Sequence, residues 1–416
     1  MPKQANERQF LSEIAILCLF KVPGQSMDWY WKKIAGVPFI LRNILSLQRG
    51  GINHLLVYTK MPGEIDERLM RDICSDSRVQ LKLQWIFEPK QLAESARGDG
   101  DLLIFDGSAL HSQAEVAATL KEARGLPRGT DGSKIFIFSL QDKILSRFLE
   151  DIDNFSSTLF EKILNDDINS DFVGHRRKLI FIPGPKESLI ESDNDFIAQQ
   201  NLLLEACGLD CGSFMGRWVT SSMSRLLTRL FLKISLTPQL MVPIGFIMGL
   251  CSAWFFYSGN YGYGVLGALM LIVSTWIASA GNEVCRLEFM DSKTGSRLNR
   301  ICGNMVHAWV FFSIGMGAYN TTGKAMYPLL GGLSALGLLI ASISGPVVKN
   351  KTQWFQRVLM GKVAYGDFTY LLLLMALIDQ MGIFIMIAAI GANLYAGFLL
   401  HAKIWPSLMP VNEDPA

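Results

Sequence analysis

An excess of either charge is missing: 39 Lys and Arg stand against 37 Asp and Glu, a formal net charge of +2, so the balance gives no argument for a nucleic-acid partner. Repeated cysteine pairs and histidine clusters are missing too. The seven cysteines include one near pair, Cys207 and Cys211, with no second pair beside it. That pattern argues against a disulfide framework or a zinc knuckle and reads as free thiols in a reducing compartment. A secretory core is also lacking, because residues 1–10 are polar and the apolar piece 14–20 follows Glu13 and is too short. No cleaved signal is expected. Internal repeats and low-complexity tracts are absent.

What is present divides in two. Up to about Met215, charged and apolar segments alternate as in soluble proteins, whereas beyond Thr237 apolar runs containing Gly, Trp and Met dominate. The asymmetry predicts a soluble domain fused to a membrane domain, with boundaries at 1–208, a linker at 209–237 and a membrane part at 238–406. In the first part, 14–20, 53–59, 81–87, 102–105, 135–139 and 178–182 read as strands, with helical patterns such as 37–48 and 112–123 between them. Alternation of this kind predicts an α/β domain, a parallel-rich sheet with helices on both faces. Asp106 closes one of these strands and reads either as a metal ligand or as the cap of the turn Gly107-Ser108. Lys32 and Lys33 are candidates to meet phosphate or to form a solvated face.

In the linker, Arg225, Arg229 and Lys233 recur every four residues, opposite Leu226, Leu227, Leu230, Phe231 and Ile234. Such a helix is expected to lie on the membrane surface, where its cations either anchor the first span or contact a substrate phosphate. Six apolar spans follow, at 240–257, 262–280, 304–319, 327–345, 364–378 and 381–400. Basic residues flank one side only: Arg217 to Lys233 before the first span, Arg286, Lys293, Arg297 and Arg300 between the second and third, Lys349, Lys351, Arg357 and Lys362 between the fourth and fifth, and Lys403 after the sixth. Opposite them stands Lys324. The positive-inside rule predicts a multi-pass protein of an inner or plasma membrane with both termini cytoplasmic.

The loop between the second and third spans lies within 278–303, ASAGNEVCRLEFMDSKTGSRLNRICG. Spacings of three and four residues in it would set side chains on one helical face, so that two helices could aim at one point. Its framework, with Arg286 and Gly295 in place, resembles the signature of the CDP-alcohol phosphotransferases. The four aspartate positions of that family fall here on Ala278, Gly281, Asn299 and Gly303, and the Gly and Ala of its first half fall on Asn282 and Cys285. The resemblance extends through Ser224-Arg225, Thr228-Arg229, Leu236-Thr237-Pro238, Glu283-Val284 and Gly366-Asp367-Phe368-x-Tyr370. In the soluble half, 36–59 resembles sugar-phosphate nucleotidyltransferases, without their G-x-G-x-R triphosphate loop. The whole chain resembles fused inositol-phosphate cytidylyltransferase and di-inositol-phosphate synthase proteins.

In such families the aspartates hold divalent ions on a CDP pyrophosphate, and hard cations need oxygen ligands. With none of the four present, the resemblance implies a degenerate member with no catalytic residue and no cofactor. Arg286, Lys293, Arg297, Arg225 and Arg229 would remain to hold a phosphate or headgroup, since guanidinium and ammonium groups bind phosphate without metal. The alternative is a working enzyme whose Mg2+ or Mn2+ has moved to Glu288 and Asp291. Expected partners are membrane lipids, with a homodimer or a complex with an active relative. The small residues Gly331-Gly332-x-x-Ala335-x-Gly337 offer one face for helix association.

Overall fold

Strand β1 (Ile14–Cys18, IAILC) is buried along its whole length, as an unbroken apolar run must be when it lies in the middle of a parallel sheet with no solvated face. The structure is a computed structural model that describes residues 14–19, 26–59, 67–95, 102–125, 136–141, 176–182, 184, 186–207, 215–234, 236–348 and 365–404. The basic stretch 349–362, residues 20–25 and Cys211 fall outside them. The chain divides between Asn201 and Leu202 into two units.

The first unit is a six-stranded sheet. After β1 come a two-strand hairpin, β2 (Lys33–Ile34) and β3 (Val37–Pro38), then β4 (His54–Tyr58), β5 (Lys82–Ile86), β6 (Leu102–Asp106), β7 (Phe136–Gln141) and β8 (Arg176–Ile182). The order is β5-β4-β1-β6-β8-β7, parallel except for the β7–β8 pair. Helices α1 (Phe39–Gly50), α2 (Glu67–Ser75), α3 (Pro89–Ser95) and α4 (Gln113–Gly125) connect or follow the strands, and α5 (Asp193–Cys207) leads out of the unit. Central β6 (LLIFD) is buried through Phe105, whereas edge strand β5 alternates and exposes Lys82 and Gln84. Helix α1 ends at Gly51, whose φ of 111° is the left-handed cap that glycine adopts without a Cβ penalty.

The second unit is helical. A π-helical turn, Gly216–Thr220, runs into α6 (Ser221–Ile234), and then come α7 (Pro238–Tyr257), α8 (Tyr261–Leu287), α9 (Lys293–Thr322), α10 (Met326–Val348), α11 (Tyr365–Leu377) and α12 (Met381–Ile404). Five of these, α7 to α10 and α12, are long and apolar enough to cross a membrane. The fifth expected span, 364–378, corresponds to α11, whose 13 described residues rise about 20 Å against a hydrocarbon core of about 30 Å. Large apolar side chains point away from the protein along these helices, among them Trp254 at 77% exposure and Ile343 at 72%. Inside, Phe311, Phe368 and Phe384 form a ring cluster with centroids 5.1 to 6.3 Å apart. Ser252 and Ser274 donate to the Gly267 and Gly245 carbonyls of neighbouring helices at 2.7 Å, which satisfies hydroxyls that lipid cannot. This is the architecture of a multi-pass integral membrane protein with an α/β unit.

The small-residue face on α10 is used within this bundle. A Cβ on Gly331 would stand 2.9 Å from the Phe311 carbonyl oxygen, and one on Gly337 would stand 3.0 Å from the Ala392 carbonyl carbon. Gly332 has open space beside it.

Candidate functional site

Residues 278–303 fold as the end of α8, a turn and the start of α9. The turn closes α8 with Phe289 in the left-handed conformation (φ 58°), where Met290 N–H donates to the Cys285 carbonyl at 2.8 Å and Phe289 N–H to that of Arg286 at 3.2 Å. This is a Schellman-type closure with Phe in the place glycine usually takes. Helix α9 opens at Ser292, whose hydroxyl accepts from Gly295 N–H at 2.9 Å. The two halves of the motif are thus brought together. Asn299 Nδ2 donates to Asn282 Oδ1 at 2.9 Å, joining α9 to α8 through neutral amides.

Around that bridge the four positions differ. Ala278 is half-buried. Gly281 is buried against α7, and a Cβ there would stand 3.1 Å from Met241 Cβ. Asn299 is half-buried, and Gly303 is exposed with no atom within 4 Å of where its Cβ would be. Glu288 is the C-cap residue of α8, and Asp291 is exposed in the turn. Among the described residues, no three His, Cys, Asp or Glu side chains are grouped to hold a metal ion.

The cations have separate settings. Arg286 is exposed and donates to the Cys207 carbonyl at 3.3 Å, at the C-terminus of α5, where a positive charge meets the negative helix end. Arg297 and Arg300 are exposed. Arg225 folds back along α6 to the Ser221 carbonyl at 3.1 Å, and Arg229 is exposed. The side chain of Lys293 and that of Asp367 lie outside the described residues.

Two polar clasps were not legible as such in the sequence. Glu283, only 4% exposed, accepts from Ser224 Oγ at 2.5 Å and from Thr228 Oγ1 at 2.8 Å. Seven residues earlier on the same stripe of α8, Trp276 Nε1 donates to Tyr370 Oη at 2.9 Å, and Tyr370 Oη shares a 3.0 Å bond with Thr220 Oγ1. The signal was the run Thr220, Ser224, Thr228, a hydroxyl every four residues and all of it buried.

In the first unit, strand order reverses at β1, with β4 on one side and β6 on the other, and ligands of open α/β sheets bind outside the carboxyl ends at such a reversal. Here those ends are tied together. Gly107 N–H donates to the Cys18 carbonyl at 2.8 Å, and a Cβ on Gly107 would stand 2.5 Å from that oxygen. Asp106 Oδ1 accepts from Ser108 N–H at 2.9 Å and Ser108 Oγ at 2.6 Å, the turn-capping arrangement. Burial pushes its carboxyl above the ordinary carboxylate value, against the Ser108 bonds that pull it down. His111 Nε2 is 2.7 Å from the Asp106 carbonyl, so that nitrogen carries the proton, and burial pushes the imidazole below its ordinary value. Asn43 on α1 stitches the same loop, donating to the Ala109 carbonyl at 2.9 Å and accepting from His111 N–H at 3.1 Å.

Just upstream, the segment where the resemblance expects a triphosphate cradle is, in its described part, a 3-10 turn (Met27–Trp31) with Met27, Trp29 and Tyr30 buried. Trp29 packs edge-on against Phe196 of α5 at 4.7 Å. Lys32 pairs with Asp193 at 2.5 Å and lies 5.0 Å over the Trp29 ring, so this candidate phosphate contact is engaged inside the unit. A family-model scan and a search of curated proteins both returned no match to this chain.

Proposed function

We propose that the protein is a membrane-embedded, catalytically silent relative of the CDP-alcohol phosphotransferases that binds a phosphate-bearing headgroup at the α8–α9 turn. Arg286 and Arg297, with Lys293, supply the cationic contacts. The observation that carries this reading is the Asn282–Asn299 amide bridge at 2.9 Å, which engages at Asn299 one of the four positions where a metal-binding site would need carboxylates. An amide oxygen is a neutral ligand, and one or two of them do not hold a pair of divalent ions. Without those ions a phosphoryl displacement loses several kcal/mol of transition-state stabilisation, and each ~1.4 kcal/mol is a factor of ten in rate. Fixed monovalent cations do not replace that, because they bind ground-state phosphate about as well as the transition state.

The test uses purified full-length protein with CTP, inositol phosphate, CDP-inositol or CDP-diacylglycerol, with and without Mg2+ or Mn2+. Binding that magnesium leaves unchanged, with no release of CMP or pyrophosphate, is expected. Metal-dependent CMP release that disappears in Glu288→Ala or Asp291→Ala would instead establish an enzyme with relocated ligands.

A further inference from the structure

Helix α6 has three faces rather than two. Ser221, Ser224 and Thr228 are buried, with Thr220 one turn ahead of them. Arg225 is half-buried beside that stripe, and Arg229 and Lys233 are exposed. Next round the axis come Leu226 at 62% exposure, Leu230 at 48% and Ile234 at 62%, with Trp218 at 71% just before the helix. An amphipathic helix ordinarily buries its apolar stripe against the protein. This one buries hydroxyls and turns Leu226, Leu230 and Ile234 outward, with Leu227 and Phe231 half-buried.

The inversion has a cause. Glu283 takes a hydroxyl on each carboxylate oxygen, and Tyr370 holds Thr220 from the other side, so the rotation of α6 about its axis is fixed by directional bonds. With the hydroxyl stripe inward, both remaining faces must point out together. Only Leu236 and Thr237, with residue 235 before them, separate α6 from the first membrane-capable helix at Pro238. The outward apolar face therefore continues the lipid-facing surface of the bundle. No Asp or Glu occurs between Asp210 and Glu283, so every charged residue of α6 itself is positive.

We propose that this outward side of α6, together with Trp218, docks anionic phospholipid of the adjoining leaflet, and that Glu283 positions the helix to do so. Leu226, Leu230 and Ile234 enter the interface, while Arg229 and Lys233 stand beside them at headgroup height. The inference rests on membrane insertion and not on the α8–α9 turn. Its failure is therefore separable from that of the proposed function.

The experiment reconstitutes full-length protein in phosphatidylcholine vesicles and compares quenching of tryptophan fluorescence by acyl-brominated phosphatidylglycerol and by acyl-brominated phosphatidylcholine at equal mole fraction. Phosphatidylglycerol is expected to quench more, and the excess is expected to vanish in Trp218→Phe. Each cation removed in Arg229→Gln and Lys233→Gln should cut the preference about five-fold, as expected for a basic residue near an anionic surface. Glu283→Gln keeps an acceptor and a donor for the two hydroxyls and should retain the preference, while Glu283→Ala should lower it. Equal quenching by the two lipids, or a preference that survives the double cation variant, overturns the docking surface. An unchanged preference in a folded Glu283→Ala protein overturns the positioning role.

Discussion

At single residues, the chain repeatedly satisfies polar groups where a ligand would otherwise be needed. Gly281 illustrates the cost of reversing this. An aspartate there must pass Met241, whose Cβ is 3.1 Å from where the new Cβ would stand, and overpacking a tight contact costs roughly 1–3 kcal/mol. Gly281→Asp is thus expected to lower the thermal midpoint in detergent. A midpoint unchanged by Gly281→Asp would show that α7 yields at this contact. His111 gives a second prediction, in pH. Its folded value lies below the ordinary one near ~6.5, so the unfolded chain takes up a proton that the folded chain refuses. Its contribution to stability is complete above the unfolded value and is lost as pH falls towards the folded one. Asp106 acts the other way, being raised: its contribution is complete below the unfolded carboxylate value and lost as pH rises through the folded one. Hydrogen exchange of the Gly107–Ser112 amides should therefore quicken, relative to the intrinsic rate, between pH 7 and about 5.5, and His111→Gln should remove that change. Acceleration of the same size in the variant would point to His54, which burial and Lys82 also lower.

At the scale of elements, the sequence was most readable where period and burial agree. The strand runs IAILC and LLIFD have no polar face and form the middle of the sheet, and the apolar runs after Thr237 correspond to long helices. The pairing across α8 and α9 was legible as spacing alone, whereas the amide bridge was not, because which asparagine meets which depends on the turn at Phe289. The hydroxyl stripe was hidden for another reason: Ser and Thr at helical spacing carry no hydropathy signal, and their partner Glu283 lies 55 residues beyond Thr228. The glycine face of α10 was visible but its use was not. Gly331 packs on the Phe311 carbonyl and on Gly315, so Gly331→Ala should destabilise the bundle, by roughly 1–3 kcal/mol, without altering oligomeric state. Gly332→Ala, with nothing within 4 Å, should leave thermal unfolding unchanged. If analytical ultracentrifugation finds that Gly331→Ala splits a dimer while the melting of the monomer is unaltered, α10 serves association after all.

At the scale of the whole molecule, the number of crossings turns on α11, whose 13 described residues rise about 20 Å. Contacts within the bundle bear on this directly. Asn320 Nδ2 donates to the Tyr257 carbonyl at 2.9 Å, placing the end of α9 beside the end of α7. Tyr261 Oη donates to the Leu377 carbonyl at 3.1 Å, placing the end of α11 beside the start of α8, and a Cβ on Gly382 would stand 3.2 Å from Tyr327 Oη. The three short turns at 258–260, 323–325 and 378–380 are thereby gathered at one end of the bundle. Helix α12 starts from that end and, at 24 residues, is long enough to run back to the other. The opposite end carries the α8–α9 turn with Arg286, Arg297 and Arg300, and the positive-inside rule predicts a cytoplasmic side for it. Single cysteines at Gly259, Lys324 and Gln380 in a cysteine-free background are expected to react with an impermeant maleimide from outside. Cysteines at Ser296 and at the C-terminus are expected to react only after permeabilisation. A C-terminus labelled from outside, with Ser296 still protected, would mean that α11 fails to cross and that the crossings number five.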